Sequence, residues 1–435
     1  MLTFLGFAMV IAFMYLIMSK RLTALIALIL VPIIFALFGG FAAQIGPMML
    51  AGITKLAPTG VMLMFAILYF ALMIDSGLFD PAVRKILKMV KGDPMRISVG
   101  TAVLALVVSL DGDGATTYMI CVAAMLPLYS RVGMSPRIMA GLIILAGGVM
   151  NMTPWGGPTA RAASALHVDA SDIFVPMIPA MLAGVVAILA IAYFYGKRER
   201  ARLGELHLKG DEVDHSEISV SQFPDARRPK LIWFNGALTF ALMVALIMGL
   251  LPLPVLFMIA FSIAMIINYP NLQDQKDRLS AHAGSVLAVV GLIFAAGIFT
   301  GILSGTGMVD AMSKSLLAVI PDALGPYLAV ITALVSMPFT FFMSNDAFYY
   351  GVLPVLSEAA AHYGISPVEM ARASIVGQPV HLLSPLVPST YLLVALAGIE
   401  FGDHQRFTLK WAILVCLCIL VAALLMGIFP FYSSM

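Results

Sequence analysis

Apolar runs of helical length follow one another from Leu2 to Phe431, and several are interrupted in mid-run by Asp, Gly and Pro. A helix of about 20 apolar residues crosses the hydrocarbon core of a bilayer, where every backbone N–H and C=O must find a partner within the protein. The expected class is therefore an all-α polytopic membrane protein. Full spans fall near 2–18, 23–43, 57–76, 134–167, 173–195, 232–249, 252–269, 280–303, 365–398 and 409–431, with those at 134–167 and 365–398 broken. Ten crossings result. Composition agrees, since 61% of the residues are hydrophobic and 11% are charged. A net charge of +2, scattered along the chain, gives no surface for nucleic acid. Cys121, Cys416 and Cys418 lie in apolar segments without metal-ligand or disulfide spacing. The first run has neither a basic region before it nor a small-residue cleavage site after it, and is expected to be a retained helix.

Two further apolar stretches are too short to cross. Residues 97–109 and 115–129 flank "DGDG", Asp111 to Gly114, and fit the arms of a hairpin that enters and leaves on one side. A second hairpin candidate runs from Pro326 to Ala361, with "MSNDAF", Met343 to Phe348, at its tip. The distribution of cations supports this layout. With the N-terminus outside, all but four of the 25 Lys and Arg fall on the inner side; Lys55, Lys314 and Arg372 fall outside and Arg161 within the membrane. Both termini are then external, and the charged segment 196–231 is an exposed cytoplasmic linker between two halves, 1–195 and 232–435.

The halves resemble each other. At a shift of 230 or 231 residues "DSGLFD" at 75–80 falls on "GTGMVD" at 305–310, "GMSP" at 133–136 on "GISP" at 364–367, and "TPWGGPT" at 153–159 on "SPLVPST" at 384–390. Five crossings per half make the second copy enter from the opposite side. This is the inverted repeat common among secondary transporters, whose sites sit near the midplane where interrupted helices meet.

Each half then supplies two interrupted elements. The first gives Asp111 to Gly114 with Thr116 and Thr117, and the break from Asn151 to Thr159, including Thr153, Gly156 and Gly157, with Arg161 beyond it. The second gives Ser344, Asn345 and Asp346, and a break carrying Gln378, His381, Ser384, Ser389 and Thr390. Pro and paired Gly stop the helix ladder, so free N–H groups face an anion and free C=O groups a cation. A carboxylate at membrane depth costs about 3 kcal/mol, so it is expected to bind a cation or carry a proton. Oxygen ligands favour a hard divalent ion of the Mg2+ or Ca2+ class.

Plainer roles stand beside these. Asp111, Asp113 and Asp346 are also suited to cap helices, as are Asp80 and Asp310 near the surface. Asp75 fits ordinary solvation at a span end. His381 fits a packing role, and Arg161 is either an anchor for an anionic substrate or the partner of a protein carboxylate. The 30 methionines form no stripe with a functional pattern.

"MYLIMSKRLTALIALILVP", "MIDSGLFDP", "VKGDP", "LDGDGATTYMI", "AAMLPLY" and "MNMTPWGGPTARAASALHVD" resemble the citrate-metal:proton symporters, bacterial carriers of citrate complexed with a divalent cation. The resemblance runs through most of the chain and is densest over 1–200. It implies the ion-transporter fold: a homodimeric scaffold with two hairpins and two broken helices per protomer, moving as an elevator. Scaffold spans would occupy 1–92 and 232–320, and transport elements 95–195 and 325–435. It also implies import of the metal-citrate complex with protons across the bacterial inner membrane, with no tightly bound cofactor. Sodium-coupled relatives in the wider superfamily carry Ser-Asn-Thr at both tips. Here Asp-Gly-Asp-Gly and Ser-Asn-Asp turn both tips toward carboxylate chemistry.

On this reading Asp111, Asp113, Ser344, Asn345 and Asp346 handle metal or protons. Thr116, Thr117, Asn151, Thr153, Gly156, Gly157, Thr159, Arg161, Gln378, His381, Ser384, Ser389 and Thr390 handle the substrate. The alternatives are a proton-coupled symporter of a gluconate- or lactate-type carboxylate, or a cation/proton antiporter. An enzyme is not expected. An intramembrane aspartyl protease would need Gly-x-Gly-Asp and Tyr-Asp, and a zinc protease His-Glu-x-x-His; none occurs.

Overall fold

Residues 1–90, 92–112, 114–203, 223–318, 321 and 323–433 are described by a computed structural model, with the side chains of Met18, Asp111 and Pro224 excepted. The fold is all-helical, with no strand among the described residues. In the first half α1 (Leu2–Met18), α2 (Ala24–Phe38) and α3 (Ile45–Asp75) lead to the amphipathic α4 (Asp80–Val90). The arms of the first hairpin follow as α5 (Pro94–Val108) and α6 (Gly114–Val132); then come the broken pair α7 (Pro136–Met150) and α8 (Gly157–Leu166), and the long α9 (Ala170–Leu203).

The second half repeats the order. It runs through α10 (Ile232–Ile247), α11 (Leu253–Asn268), α12 (Leu272–Gly305) and the short α13 (Met308–Leu317). Its hairpin is α14 (Leu328–Phe342) and α15 (Leu353–Ala361), joined through a π-helical turn over Ala347–Val352. Its broken region is α16 (Pro367–Ser374), α17 (Gln378–His381) and α18 (Pro388–Ala397), and α19 (Phe401–Leu425) closes the fold.

Helices overrun the apolar windows that announce them, because those windows mark only the part buried in hydrocarbon. α9 continues past residue 195 into "KRERARL", where Arg200 donates to Asp93 at 2.9 Å and Arg202 to Glu199 at 2.5 Å. α12 starts eight residues before its apolar run, capped by the Asn271 side chain, which accepts from Gln273 N at 2.9 Å. α3 starts at Ile45 rather than 57, carrying Pro58 inside the helix. Among the described residues, six helices are long and apolar enough to cross a membrane: Ile45–Asp75, Ala170–Leu203, Pro229–Ile247, Leu272–Gly305, Gly325–Phe342 and Phe401–Leu425. The chain is thus a multi-pass membrane protein. α5, at 15 residues, rises only about 22 Å, short of the hydrocarbon thickness, whereas α6, expected over 115–129, runs to 19 residues. Gly325–Phe342, expected as the matching arm, is 18 residues long and reaches spanning length.

Backbone contact organises the interior. α3 crosses α12 so closely that a Cβ on Gly52 would lie 1.9 Å from the Gly297 carbonyl oxygen, and one on Gly301 would lie 2.4 Å from that of Met48. Gly297 and Gly301 repeat at four-residue spacing, the small-residue pattern that lets membrane helices touch. α10 and α11 are held by two reciprocal 2.8 Å bonds between the buried amides of Asn235 and Asn268. Of the expected linker, residues 196–203 continue α9, and 204–222 lie outside the described residues. Residues 223–231 fold back onto the ends of α3 and α11. Arg227 pairs with Asp80, Arg228 donates to the Asn268 carbonyl at 2.8 Å, and Tyr269 donates to that of Ala226 at 2.7 Å.

The two halves interlock. The second arm of the first hairpin, α6, packs on α18, and that of the second hairpin, α15, packs on α8. Each half therefore places its hairpin against the other's broken helix.

Candidate functional site

Both breaks are built by the same device. α7 stops at Met150 and α8 restarts at Gly157 with Pro158 in its first turn; Thr159 Oγ1 spans the gap, donating to the Met152 carbonyl at 2.9 Å. In the second half Thr390 Oγ1 donates to the Leu382 carbonyl at 2.5 Å. Gly156 is required by its surroundings, since a Cβ there would lie 2.1 Å from the Asn151 carbonyl oxygen. The second break is also tied to α14: His381 Nδ1 donates to the Thr340 carbonyl at 2.7 Å, and Ser384 Oγ to that of Phe341 at 2.6 Å.

The breaks lie back to back. Asn151 Nδ2 donates to Gln378 Oε1 at 3.2 Å, and Gln378 Nε2 to Tyr349 OH at 3.0 Å. A Cβ on Gly148 would meet Pro379 Cα at 2.5 Å, so α7 and α17 touch through backbone there. The hairpin tips join the same centre. Trp155 Nε1 donates to the Leu110 carbonyl at 2.8 Å, fixing the first tip to the first break. Gly112 has φ +79, the left-handed turn that reverses the chain without a Cβ penalty. At the second tip Ser344 Oγ accepts from Ala347 N at 3.2 Å, and Asp346 Oδ1 accepts from Arg161 Nε at 2.6 Å. Of the two roles open to Arg161, this geometry provides the carboxylate partner. The pair is mostly enclosed, with 21% of the Arg161 side chain and 16% of that of Asp346 exposed.

A cavity of about 670 Å³ lies on one side of this centre. Gly112, Thr116, Trp155, Gly157 and Arg161 line its inner end, α3 and α12 its walls, and Asp75, Phe223 and His282 its other end. Asp75 is buried, accepting from Arg278 at 3.0 Å and bonded to His282 Nε2 at 2.8 Å. The Arg278 guanidinium lies 4.5 Å over the Phe223 ring. A smaller cavity of about 150 Å³ is bounded by Ser109, Gly112, Thr117, Asn151 and Ser389 among others. Ser109 Oγ and Thr117 Oγ1 are buried beside it without a hydrogen-bond partner among the described residues, a polar setting for water or a small ion.

The expected site residues thus divide by location. Thr116, Gly157 and Arg161 reach the larger cavity; Thr117, Asn151 and Ser389 reach the smaller. Thr159, Gln378, His381, Ser384 and Thr390 use their side chains to hold the breaks in shape. The Thr153 hydroxyl and the Asn345 amide oxygen are buried with no partner among the described residues. Asp111 lies in the short 3-10 turn before Gly112, and Asp113 is outside the described residues. The sequence suggested ordinary solvation at a span end for Asp75, which is instead buried, and did not single out Trp155, Arg278 or His282. The signal for the Asp75, Arg278 and His282 cluster was present: a carboxylate closes an apolar span, and Arg278 and His282 share a helix face at four-residue spacing.

Likeness to known proteins agrees with this architecture. The chain is 62% identical over 431 residues to a citrate transporter of Bacillus subtilis (strain 168), covering 99% of this chain and all of that one. It is 55% identical over 428 residues to the Mg(2+)/citrate complex secondary transporter of the same organism, covering 98% and 99%. Two solved transporters share the fold at low identity. The YdaH transporter of Alcanivorax borkumensis has a TM-score of 0.56 at 16% identity, covering 89% of this chain and 88% of that one. MtrF of Neisseria gonorrhoeae, described as illuminating a class of antimetabolite efflux pumps, has 0.62 at 14%, covering 92% and 86%. Residues 7–377 match the sequence profile described as "Citrate transporter", and the chain belongs to that family.

Proposed function

We propose that this protein is a secondary transporter that imports citrate complexed with a divalent cation of the Mg2+ or Ca2+ class, together with protons. The observation that carries the reading is the larger cavity, whose inner end brings Arg161 and the N-terminus of α8 to the first hairpin tip. Citrate presents several carboxylates. One of them competes with Asp346 for the Arg161 guanidinium, a charge-assisted contact, and the first-turn N–H groups of α8 supply further donors. Asp111 and Asp113, read from the sequence as the acidic residues of that tip, would take the cation that rides with the remaining carboxylates. Displacing Asp346 from Arg161 frees a carboxylate to take a proton, which couples proton and cargo at one pair. The relative named as a Mg(2+)/citrate complex secondary transporter supports this choice of cargo.

The recurring order of elements and the interlocked hairpins support two inverted five-span repeats. α3 and α12, in backbone contact, form the rigid part of the scaffold, against which the hairpins and broken helices travel as an elevator. Both termini lie outside the bacterial inner membrane, and two copies pair as a homodimer. The cavity extends toward Phe223 and Arg278, on the side assigned to the cytoplasm. A thermal-shift comparison tests the cargo. Mg2+ with citrate should raise the melting temperature of the purified protein, whereas citrate with chelator or Mg2+ alone should not; equal shifts with and without Mg2+ would remove the metal from the substrate.

A further inference from the structure

A second groove shares no lining residue with the two cavities at the hairpin tips and helix breaks. It measures about 1150 Å³ and lies between α4, the first turns of α5, and α9. This exceeds the roughly 300–1,000 Å³ of ordinary small-molecule pockets. Its interior is apolar, with Val99 and Val103 one turn apart on α5 and Met89 opposite; its rim carries Lys85, Lys88 and Arg96.

The groove sits at the membrane boundary. α9 changes from apolar to charged immediately after Tyr195, and Tyr193, on the groove wall, is half exposed just before that change. Tyrosine at such a level marks the headgroup zone. α4 presents Val83, Leu87 and Val90 to the interior and leaves Lys85, Lys88 and Met89 exposed. The apolar wall therefore extends from headgroup level along α5 into the hydrocarbon.

Among the described residues the rim is short of anions. Neither Lys85 nor Lys88 has an ion pair among the described residues. Asp93, which meets Arg96 at 3.5 Å, is closer to Arg200 at 2.9 Å and also caps α5 by accepting from Met95 N at 3.0 Å. Asp80 is engaged by Arg227. A long apolar trough topped by three cations, two of them without an ion pair among the described residues, complements one molecule: an acyl chain below and a phosphate with net negative charge above.

We propose that this groove binds an anionic phospholipid, its headgroup phosphate held by Lys85, Lys88 and Arg96 and one acyl chain lying along Val99 and Val103. Because α4 connects α3 to the hairpin arm α5, the lipid bridges a long span and a transport element.

The test uses the purified, delipidated full-length protein, with native mass spectrometry and melting curves. Probes are phosphatidylglycerol, phosphatidylcholine with the same chains, and glycerol phosphate. Phosphatidylglycerol alone should be retained and raise the melting temperature. Lys85→Ala with Lys88→Ala should weaken its retention about thirtyfold, at the usual strength per basic residue. Val103→Trp narrows the trough, spares the rim and should also lose the lipid. Equal retention of the two lipids, undiminished retention in the lysine variant, or a full shift from glycerol phosphate would overturn the proposal. So would efficient Met89→Cys cross-linking between two copies in liposomes, which would give the groove to a second subunit.

Discussion

Arg161 and Asp346 are 185 positions apart and meet at 2.6 Å, one from each half of the chain. Leaving either charge enclosed without its partner is expensive, so Arg161→Gln and Asp346→Asn should each lower citrate uptake by more than about tenfold. The double variant separates structure from transport. If the pair only holds the fold, removing both charges restores uptake; the cargo role of Arg161 requires the double variant to stay inactive while its melting temperature recovers. Asp113→Asn should abolish uptake without loss of folded protein, and near-normal transport by that variant would take Asp113 out of the mechanism. Arg161 and Asp346 could be picked out as candidates because isolated charges in apolar sequence stand out. Their pairing could not, since nothing in local sequence encodes a contact across the two halves. Asp75 was underrated for the same reason, because Arg278 and His282 lie more than 200 residues away.

At the scale of elements, the breaks were readable from Pro and Gly, whereas the hydrogen bonds that stabilise them were not. Thr159 and Thr390 look like substrate ligands in sequence, but each spends its hydroxyl on a carbonyl across its own break. Thr159→Val and Thr390→Val should therefore destabilise by similar amounts, about 1–3 kcal/mol each, visible as comparable drops in melting temperature. Destabilisation at only one of them would argue against equivalent construction of the two breaks. Helix ends were misplaced wherever charge begins, at α9 and α12, because hydropathy reports contact with lipid and not the persistence of the helix. The α3–α12 crossing was equally hidden, although Gly297 and Gly301 hinted at it. With 1.9 Å available to a Cβ on Gly52, Gly52→Val should prevent accumulation of folded protein, as monitored by size-exclusion chromatography from membranes.

The whole molecule assembles two hairpin tips and two helix breaks around one centre, with a cavity of about 670 Å³ on one side of it. Pattern and charge were enough to expect this convergence, since each half carries its own tip and break. The cavity itself and its extension toward Asp75 and Phe223 depend on packing between α3 and α12 that no single segment announces. The central claim is that cargo and coupling ion meet at this centre as a metal–citrate complex and a proton. The most direct measurement is uptake of labelled citrate into proteoliposomes under an inward proton gradient, with Mg2+ or Ca2+ present or with chelator. The account predicts uptake that requires the divalent ion and collapses with a proton ionophore; uptake indifferent to chelator and ionophore, or none under any condition, would contradict it.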